Sequence, residues 1–277
     1  MKEVALALGG GGARGLAHLK YLEFFEESDV SITRISGSSI GAIMGALFAS
    51  GKSAKTIREE LQQYFIFKGD RKRDVVKKVP DLMSWLTMIN LDVREAGIMK
   101  ADAFLENFME ELETMSFEDL EIPLTVIATD FWSGEQVVIN SGPLKPAIMA
   151  SAAIPGVFPP VEHMDRVLVD GSLSTSVPYF CHCDGDDLNV GIDLSPDRVP
   201  KKGKVPKARE ATEGMFDIFI DHMVKLQLKE SKPDVYFRPG IENVGILEFD
   251  KVESIYDQAE KSVSKLKALC REQGLEI

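Results

Sequence analysis

The sequence predicts an α/β fold in which a mainly parallel sheet is covered by helices on both faces. Short apolar runs alternate with segments whose apolar residues recur at helical spacing, and glycine-rich turns follow the first two runs. The order strand, helix, strand, helix produces parallel strand pairs joined by crossover helices. An apolar fraction of 44% and a charged fraction of 27% agree with an ordinary globular protein.

The first fifth of the chain carries the clearest alternation. Residues 4–8 form a short apolar run that predicts a buried strand. Residues 16–25 follow with large apolar side chains three residues apart, which is helical spacing. Residues 32–35 predict a second strand, and the strongly apolar residues 40–49 predict a second helix. These four elements define the expected parallel unit.

The rest of the chain adds strands and helices in a less regular order. We expect strands at residues 124–128, 136–139, 167–169, 188–192 and 235–237, helices at 53–66, 101–114, 216–229 and 252–271, and irregular segments at 67–100 and 195–209. The sequence shows no internal repeat and no linker between separate cores. It therefore predicts a single domain over residues 1–277, with a motif-bearing core at about 3–194 on which elements within 210–273 pack.

The charge balance makes nucleic acid an unexpected partner. The 32 Lys and Arg residues stand against 44 Asp and Glu, a formal net charge of −12, whereas nucleic-acid binding needs clustered positive charge. Three cysteines are too few for a disulfide framework and indicate a reducing compartment. The sequence shows neither a signal-peptide core nor an apolar stretch long enough to span a bilayer. We therefore expect a cytoplasmic protein, peripheral at the membrane at most, with no nucleic-acid partner.

A glycine-rich loop joins the first predicted strand to the first predicted helix. Its glycines at positions 10, 12 and 15 match the G-x-G-x-x-G pattern of a dinucleotide-binding loop. That unit also needs an acidic residue at the end of the second strand, where this chain has glycine and serines. A turn that only packs is a second alternative. We favour an oxyanion site formed by the amides of Gly10, Gly11 and Gly12 at a helix N-terminus, with Arg14 adding charge or bracing the loop.

The turn after the second strand matches the G-x-S-x-G nucleophile elbow. Gly37, Ser39 and Gly41 occupy its defined positions, between a predicted strand and a predicted helix as the motif requires. The flanking glycines are needed because backbone and helix crowd the tip of the turn. Ser39 is therefore the candidate nucleophile, whereas Ser38 points elsewhere. The alternative is a tight turn without chemistry.

An activated serine needs a base within hydrogen-bond reach. The four histidines do not follow the Ser, Asp, His order of an α/β-hydrolase, whose elbow also lies deep in the chain. His18 lies within the first predicted helix, as a packed residue or one close to the helix cap. A triad that uses His182 or His222 stays an alternative.

Asp170 offers a better base than the histidines. It ends the strand predicted at residues 167–169 and precedes Gly171, so it lies at the same carboxyl edge of the sheet as the other two motifs. Partial burial there raises the pKa of a carboxyl group and makes it a usable proton acceptor. The alternative is an aspartate that only caps an Asp-Gly turn.

The motifs together, in this order, resemble the patatin-like phospholipases, a family of lipid acyl hydrolases with a Ser-Asp dyad. Residues 10–15 resemble the oxyanion loop of that family, residues 37–41 its nucleophile elbow, and residues 170–172 its D-G-G/A motif, with a serine in the last position. Residues 150–160 are similar to a block that the family carries before the dyad aspartate. The resemblance covers about residues 3–194.

The resemblance implies a three-layer α/β/α sandwich around a mainly parallel sheet, with no metal and no cofactor. It assigns Ser39 as the nucleophile and Asp170 as its base, with the amides of Gly10 to Gly12 as oxyanion donors. Four further glycines would support the motifs: Gly15, Gly37, Gly41 and Gly171. The expected activity is hydrolysis of phospholipid or lysophospholipid esters through an acyl-enzyme. A regulatory or scaffold protein with negligible turnover and an acyltransferase are the alternatives.

Three further segments bear on substrate, membrane and metal. An apolar stretch at residues 82–89 predicts an acyl-binding wall or lid, with an ordinary core helix as the alternative. Its candidate residues are Trp85, Leu86, Met88 and Ile89.

The segments from Lys68 to Lys78 and from Lys201 to Arg209 carry six and five basic residues. They predict transient contact with anionic headgroups, unless they are solvated loops. The Cys- and Asp-rich residues 181–187 lack the ligand spacing of a zinc or calcium site.

Overall fold

The computed structural model describes residues 2–66, 112–182, 188–197, 203, 205–206 and 208–275. That part of the chain forms one sheet of eight strands: β1 (Lys2–Leu8), β2 (Val30–Ser38), β3 (Leu124–Asp130), β4 (Gln136–Ile139), β5 (Val161–His163), β6 (Arg166–Asp170), β7 (Leu188–Ile192) and β8 (Val235–Phe237). Six α-helices accompany it there: α1 (His18–Glu26), α2 (Ile40–Ala49), α3 (Ala54–Ile66), α4 (Leu144–Ser151), α5 (Ala208–Glu230) and α6 (Val252–Glu272).

The sheet is mixed, with mainly parallel strands. Its order is β5-β6-β3-β2-β1-β7-β8, and β4 pairs with β3 outside this path. β1 pairs in parallel with β2 and β7, β2 with β3, and β7 with β8. The pairs β3–β4, β3–β6 and β5–β6 are antiparallel. The parallel half therefore carries the helical crossovers, and the antiparallel half is built of short hairpins.

Successive residues of β1 bury against opposite layers. Leu6 and Leu8 belong to the larger core, together with residues of α1, α2 and α6. Ala7 packs with Val224 of α5 in a smaller cluster, because side chains alternate between the two faces of a strand. Helices therefore cover both faces, and the expected three-layer α/β/α sandwich is confirmed. The single-domain assignment stays a prediction.

Most of the predicted elements are present with different ends. A 3₁₀ turn at Gly12–Ala17 precedes α1, which begins at His18 and not at residue 16. The helix expected from residue 216 begins at Ala208, inside the segment predicted as a loop, because alanine, glutamate and arginine near its start favour helix. β5 was not expected, since three residues show no periodicity. The helix expected at residues 101–114 lies outside the described residues up to 111.

The pairing of β3 brings two strand ends together. β4 pairs with residues 126–129 of β3 and so occupies one edge of that strand. β2 pairs with residues 124–127 and β6 with residues 128–130, so these two strands share the opposite edge. β2 runs parallel to β3 and β6 antiparallel, and therefore their carboxyl ends meet head to head at Ser38 and Asp170. This junction positions the candidate site.

Candidate active site

The turn between β2 and α2 holds Ser39 in a strained conformation. Its φ of 55° and ψ of −127° are unusual for a residue with a side chain. A Cβ atom on Gly37 would lie 2.6 Å from Ala42, and one on Gly41 would collide with the carbonyl oxygen of Leu8. The glycines are therefore required by close packing, and they allow the serine to stand at the tip of the turn, as in a nucleophile elbow.

Ser39 is hydrogen-bonded to Asp170. The Ser39 hydroxyl donates to Oδ2 of Asp170 at 2.6 Å, and the backbone N–H of Ser39 donates to the Ser151 hydroxyl at 2.9 Å. Both Ser39 and Asp170 are buried. The structure thus joins the two residues that sequence analysis took from separate motifs, 131 positions apart.

Burial makes Asp170 an unusually strong carboxylate base. Its side chain is 3% exposed, and desolvation raises its pKa from 3.8 to about 6, against the lowering effect of hydrogen bonds from Ser39 and Ser172. The Ser172 amide donates to Oδ1 at 2.8 Å. Each carboxylate oxygen therefore accepts a hydrogen bond, which favours the rotamer that faces Ser39.

The backbone around Asp170 is also held on both sides. The Asp170 N–H donates to the carbonyl of Ala153 at 3.0 Å, and the Thr129 hydroxyl donates to the Asp170 carbonyl at 2.9 Å. Ala153 belongs to the block at residues 150–160, so that block supports the aspartate directly. A Cβ atom on Gly171 would collide with the carbonyl oxygen of Ile127, which explains glycine at that position.

The glycine loop passes directly over Ser39. A Cβ atom on Gly10 would lie 3.4 Å from Cβ of Ser39 and would collide with the Ser172 hydroxyl. The Gly10 N–H already donates to the carbonyl of Ser176 at 3.1 Å. Within the described part of the chain, the amides of Gly11 and Gly12 have no hydrogen-bond partner. The amide expected to serve as an oxyanion donor at Gly10 is thus already bonded to Ser176, whereas the amides of Gly11 and Gly12 are free.

Arg14 braces the loop rather than presenting a free charge. Its guanidinium is buried and donates through Nε to the carbonyl of Leu194 and through Nη1 to that of Val244, both at 3.0 Å. Nη2 forms an ion pair of 2.7 Å with Asp217 on α5. Of the two roles expected for Arg14, the structure therefore shows the bracing one.

Neither His18 nor His222 supplies a base to Ser39, whose hydroxyl donates to Asp170. His18 is fully buried below the loop, with Nε2 at 2.7 Å from the carbonyl of Gly9. Desolvation lowers the pKa of His18 to about 4, so it is neutral near pH 7. Nδ1 of the exposed His222 lies 3.0 Å from the carbonyl of Ile218 on the same helix. The side chain of His182 lies outside the described residues.

Two apolar recesses meet at Ser39, each with about 380 Å³ of space that includes open solvent at its mouth. The recess toward α2 is lined by Ile40, Ile43, Ala152, Phe158, Leu247 and Phe249. The recess toward α5 is lined by Pro155, Leu173, Phe216 and Ile220, and both recesses share Ile154 and Ile246. The substrate-binding residues predicted from the sequence include none of the C-terminal members of this lining. The expected acyl wall at Trp85, Leu86, Met88 and Ile89 lies outside the described residues, as does the segment from Lys68 to Lys78.

The described residues contain neither a candidate metal site nor a candidate membrane-spanning helix. Within these residues, no group of three His, Cys, Asp or Glu side chains is placed to hold a metal ion. None of the helices in the same part of the chain is both long and apolar enough to cross a membrane.

Comparison with known proteins identifies the family. The sequence model described as Patatin-like phospholipase matches residues 6–180, which is more than half of the chain. The chain therefore belongs to the patatin-like phospholipase family. The matched range includes the glycine loop, the elbow at Ser39 and the Asp170 turn, and it ends before α5.

Two curated relatives and one solved structure are similar to this chain. An uncharacterised NTE family protein of Mycobacterium tuberculosis is 35% identical over 223 residues, covering 80% of this chain and 56% of the relative. Human patatin-like phospholipase domain-containing protein 6 is 25% identical, covering 92% of this chain and 19% of the relative. This chain thus spans about half or less of those proteins. The crystal structure of VipD from Legionella pneumophila aligns with a TM-score of 0.49 at 14% identity, over 95% of this chain and 67% of VipD.

Proposed function

We propose that the protein is a serine lipid acyl hydrolase that cleaves carboxylic esters of phospholipids or lysophospholipids. The observation that carries this proposal is the 2.6 Å hydrogen bond from the Ser39 hydroxyl to the buried carboxylate of Asp170. A serine needs such a base to become a nucleophile. The family and the apolar recesses support an acyl ester as the substrate.

In the first half-reaction Asp170 accepts the hydroxyl proton of Ser39 as Oγ attacks the ester carbonyl carbon. The resulting oxyanion lies against the free amides of Gly11 and Gly12, where fixed backbone dipoles stabilise it without reorganisation. The tetrahedral intermediate collapses, the ester C–O bond breaks, and Asp170 returns the proton to the departing alcohol oxygen. The products of this step are the alcohol and an ester of Ser39.

In the second half-reaction Asp170 accepts a proton from water as the water oxygen attacks the acyl carbon of the Ser39 ester. The same two amides face the second oxyanion. Collapse of this intermediate breaks the bond to Oγ, returns the proton to Ser39 and releases the carboxylic acid. One carboxylate thus acts as base and acid in both steps, and no histidine is required.

The raised pKa suits this double role. A carboxylate with a pKa of about 6 accepts a proton more readily than an ordinary aspartate and is still mainly ionised at pH 7. The strained backbone of Ser39 and the three acceptors of Arg14 keep nucleophile and donors in place before substrate binds. Preorganisation of this kind reduces the reorganisation that the transition state requires.

The apolar recess toward α2 is the better site for the acyl chain. Its wall lies next to the nucleophile, because Ile40 and Ile43 are on the first turn of α2, the helix that follows Ser39. Phe158 and Phe249 complete an apolar lining that suits a hydrocarbon chain. The recess toward α5 then receives the alcohol side of the ester.

A fluorophosphonate probe tests the proposal, because it phosphonylates only an activated serine and releases fluoride. Peptide mass mapping is expected to place the adduct on Ser39, with labelling strongly reduced in Asp170→Asn. The matched control is Asp257→Asn, an exposed carboxylate on α6, which is expected to label as fast as the natural sequence. Failure of the folded natural protein to label, or equal labelling of Asp170→Asn, would contradict the proposed dyad.

A further inference from the structure

Two turns extend beyond the edge of the sheet that carries the candidate site. β6 ends at Asp170, opposite Ala128 of β3, but it begins four residues earlier, at Arg166. At a strand rise of about 3.3 Å per residue, the β5–β6 turn lies about 13 Å or more beyond the level of Asp170. β3 runs alongside, and its following turn at residues 131–134 reaches the same level.

Large apolar side chains lie on both turns. Trp132 is 81% exposed and Phe131 50% exposed on the turn after β3, and Met164 is 59% exposed on the β5–β6 turn. The rings of Phe131 and Trp132 meet edge to face, with centroids 5.0 Å apart. Met164 has a φ of 54° in a two-residue turn, where glycine or asparagine is the favoured choice. Folding does not explain an exposed methionine at that position.

The two turns are held rigidly together. The Asp130 carboxylate accepts hydrogen bonds from the amides of Trp132 at 2.9 Å and Ser133 at 3.1 Å. The Phe131 N–H donates to the carbonyl of Val167 on β6 at 2.8 Å. Arg166 lies 3.6 Å from the same Asp130 carboxylate. The exposed apolar side chains are therefore presented at little further cost in conformational entropy.

We infer that Phe131, Trp132 and Met164 form a tip that docks the protein onto a zwitterionic lipid surface, with the site edge turned toward the lipid. Aromatic side chains favour the interface between headgroups and acyl chains, and their position ahead of the site suits a substrate drawn from that surface. The inference rests on the proposed function, because only a lipid substrate gives the site edge a reason to face a membrane.

The charges near the tip determine which kind of lipid headgroup it can approach. Besides the paired Asp130 and Arg166, the two turns and their flanking residues carry Glu135, Glu162 and Asp165. A net negative surface is repelled by anionic headgroups and tolerated by phosphocholine headgroups. The tip therefore differs from the two basic segments, for which sequence analysis expects anionic lipid.

Fluorescence tests the docking without any catalytic turnover. The chain has two tryptophans, Trp85 and Trp132, so Trp85→Phe leaves Trp132 as the single reporter. Phosphatidylcholine vesicles are expected to shift its emission to shorter wavelength, and lipid brominated in the acyl chains is expected to quench it. Unchanged emission with these vesicles would overturn the inference. So would a shift that appears on raising protein concentration without lipid, which would indicate a second copy as the occupant.

Activity measurements separate the tip from the chemistry. The double variant Phe131→Ser/Trp132→Ser is expected to hydrolyse a soluble short-chain ester at the natural rate. On phosphatidylcholine vesicles its rate is expected to fall about tenfold or more, because the two aromatic rings that would insert into the lipid are absent. The matched control is Met215→Ser/Phe219→Ser, two exposed apolar residues on α5, which is expected to keep both rates. Equal loss in the two variants would overturn the inference. Absence of ester hydrolysis in the natural protein would instead contradict the proposed function, while the fluorescence result would still decide the docking.

Discussion

The two sides of the candidate site are built in different ways. The side that carries the proposed Ser39–Asp170 dyad, called the catalytic side below, depends on backbone geometry: a strained Ser39, glycines where a Cβ atom would collide, and strand ends that meet head to head. The substrate side depends on side chains from distant segments, such as Phe216 and Ile246, that close over the same point. Backbone requirements restrict a position to one or two residue types, whereas an apolar wall accepts many. The residues of the proposed dyad are therefore constrained more tightly than those that line the recesses.

The largest expected effect is the loss of activity at low pH. If the catalytic side depends on ionised Asp170, kcat/KM for a soluble ester falls about tenfold per pH unit below its pKa of about 6, and about a hundredfold by pH 4. Stopped assays with return to pH 7.5 exclude irreversible unfolding. His222→Gln is the control, because it removes an exposed histidine of α5 and leaves Ser39 and Asp170 unchanged. A profile that is flat, or that changes in His222→Gln, would contradict the assignment of the base to Asp170.

The next effect concerns the free energy of unfolding. Ionisation of Asp170 lowers this free energy, whereas ionisation of a salt-bridged carboxylate raises it. Asp170 has a higher pKa in the folded state than in the unfolded state, so its contribution is fully present below about pH 4 and is lost as pH rises through about 6. Asp170→Asn removes this penalty. We expect it to raise the free energy of unfolding by about 2 kcal/mol at pH 7.5, and Tm by roughly 5 °C.

The stability difference between Asp170→Asn and the natural protein is expected to vanish below about pH 4, where the side chain at position 170 is uncharged in the folded and the unfolded state of both proteins. Asp257→Asn is the control, with no change at either pH. A less stable Asp170→Asn variant at pH 7.5 would show that its hydrogen bonds to Ser39 and Ser172 outweigh desolvation. A catalytic side that destabilises the fold is expected where a buried charge serves the reaction.

A smaller effect is expected where the two sides meet, at the ion pair between Arg14 and Asp217. Asp217→Asn weakens one of the three contacts of the Arg14 guanidinium, which braces the glycine loop. We expect kcat for a soluble ester to fall about tenfold with KM little changed, because misplaced amides lose transition-state stabilisation. Asp221→Asn, one helical turn further along α5 and bonded to Arg238 instead, is expected to keep kcat. A change in KM alone, or equal effects of both variants, would contradict a positioning role.

The contrast between the two sides also explains which features of the site the sequence predicts and which it does not. Ser39 and Asp170 were selected because each stands in a turn that only a few residue types can form, and such turns leave short local motifs. The donor state of Gly10 depends on Ser176, and the partner of Arg14 lies 203 positions away. These contacts follow from tertiary packing and leave no local pattern. For the same reason β5 and the tip at Trp132 were not expected, although the parallel order of the first strands was.

The smallest expected effect tests which recess takes the acyl chain, using the same substitution on each side. Ile43→Val removes one methyl group from the α2 recess, and Ile220→Val removes one from the α5 recess. One methylene is worth about 0.8 kcal/mol, so we expect Ile43→Val to change the kcat/KM ratio of long-chain to short-chain p-nitrophenyl esters about fourfold in favour of the longer chain. Ile220→Val is expected to leave that ratio unchanged, because p-nitrophenol is the alcohol in every member of the series. The reverse pattern would place the acyl chain against α5. Equal shifts in both variants would mean that the two recesses act as one channel, so that chain length is set by neither wall alone.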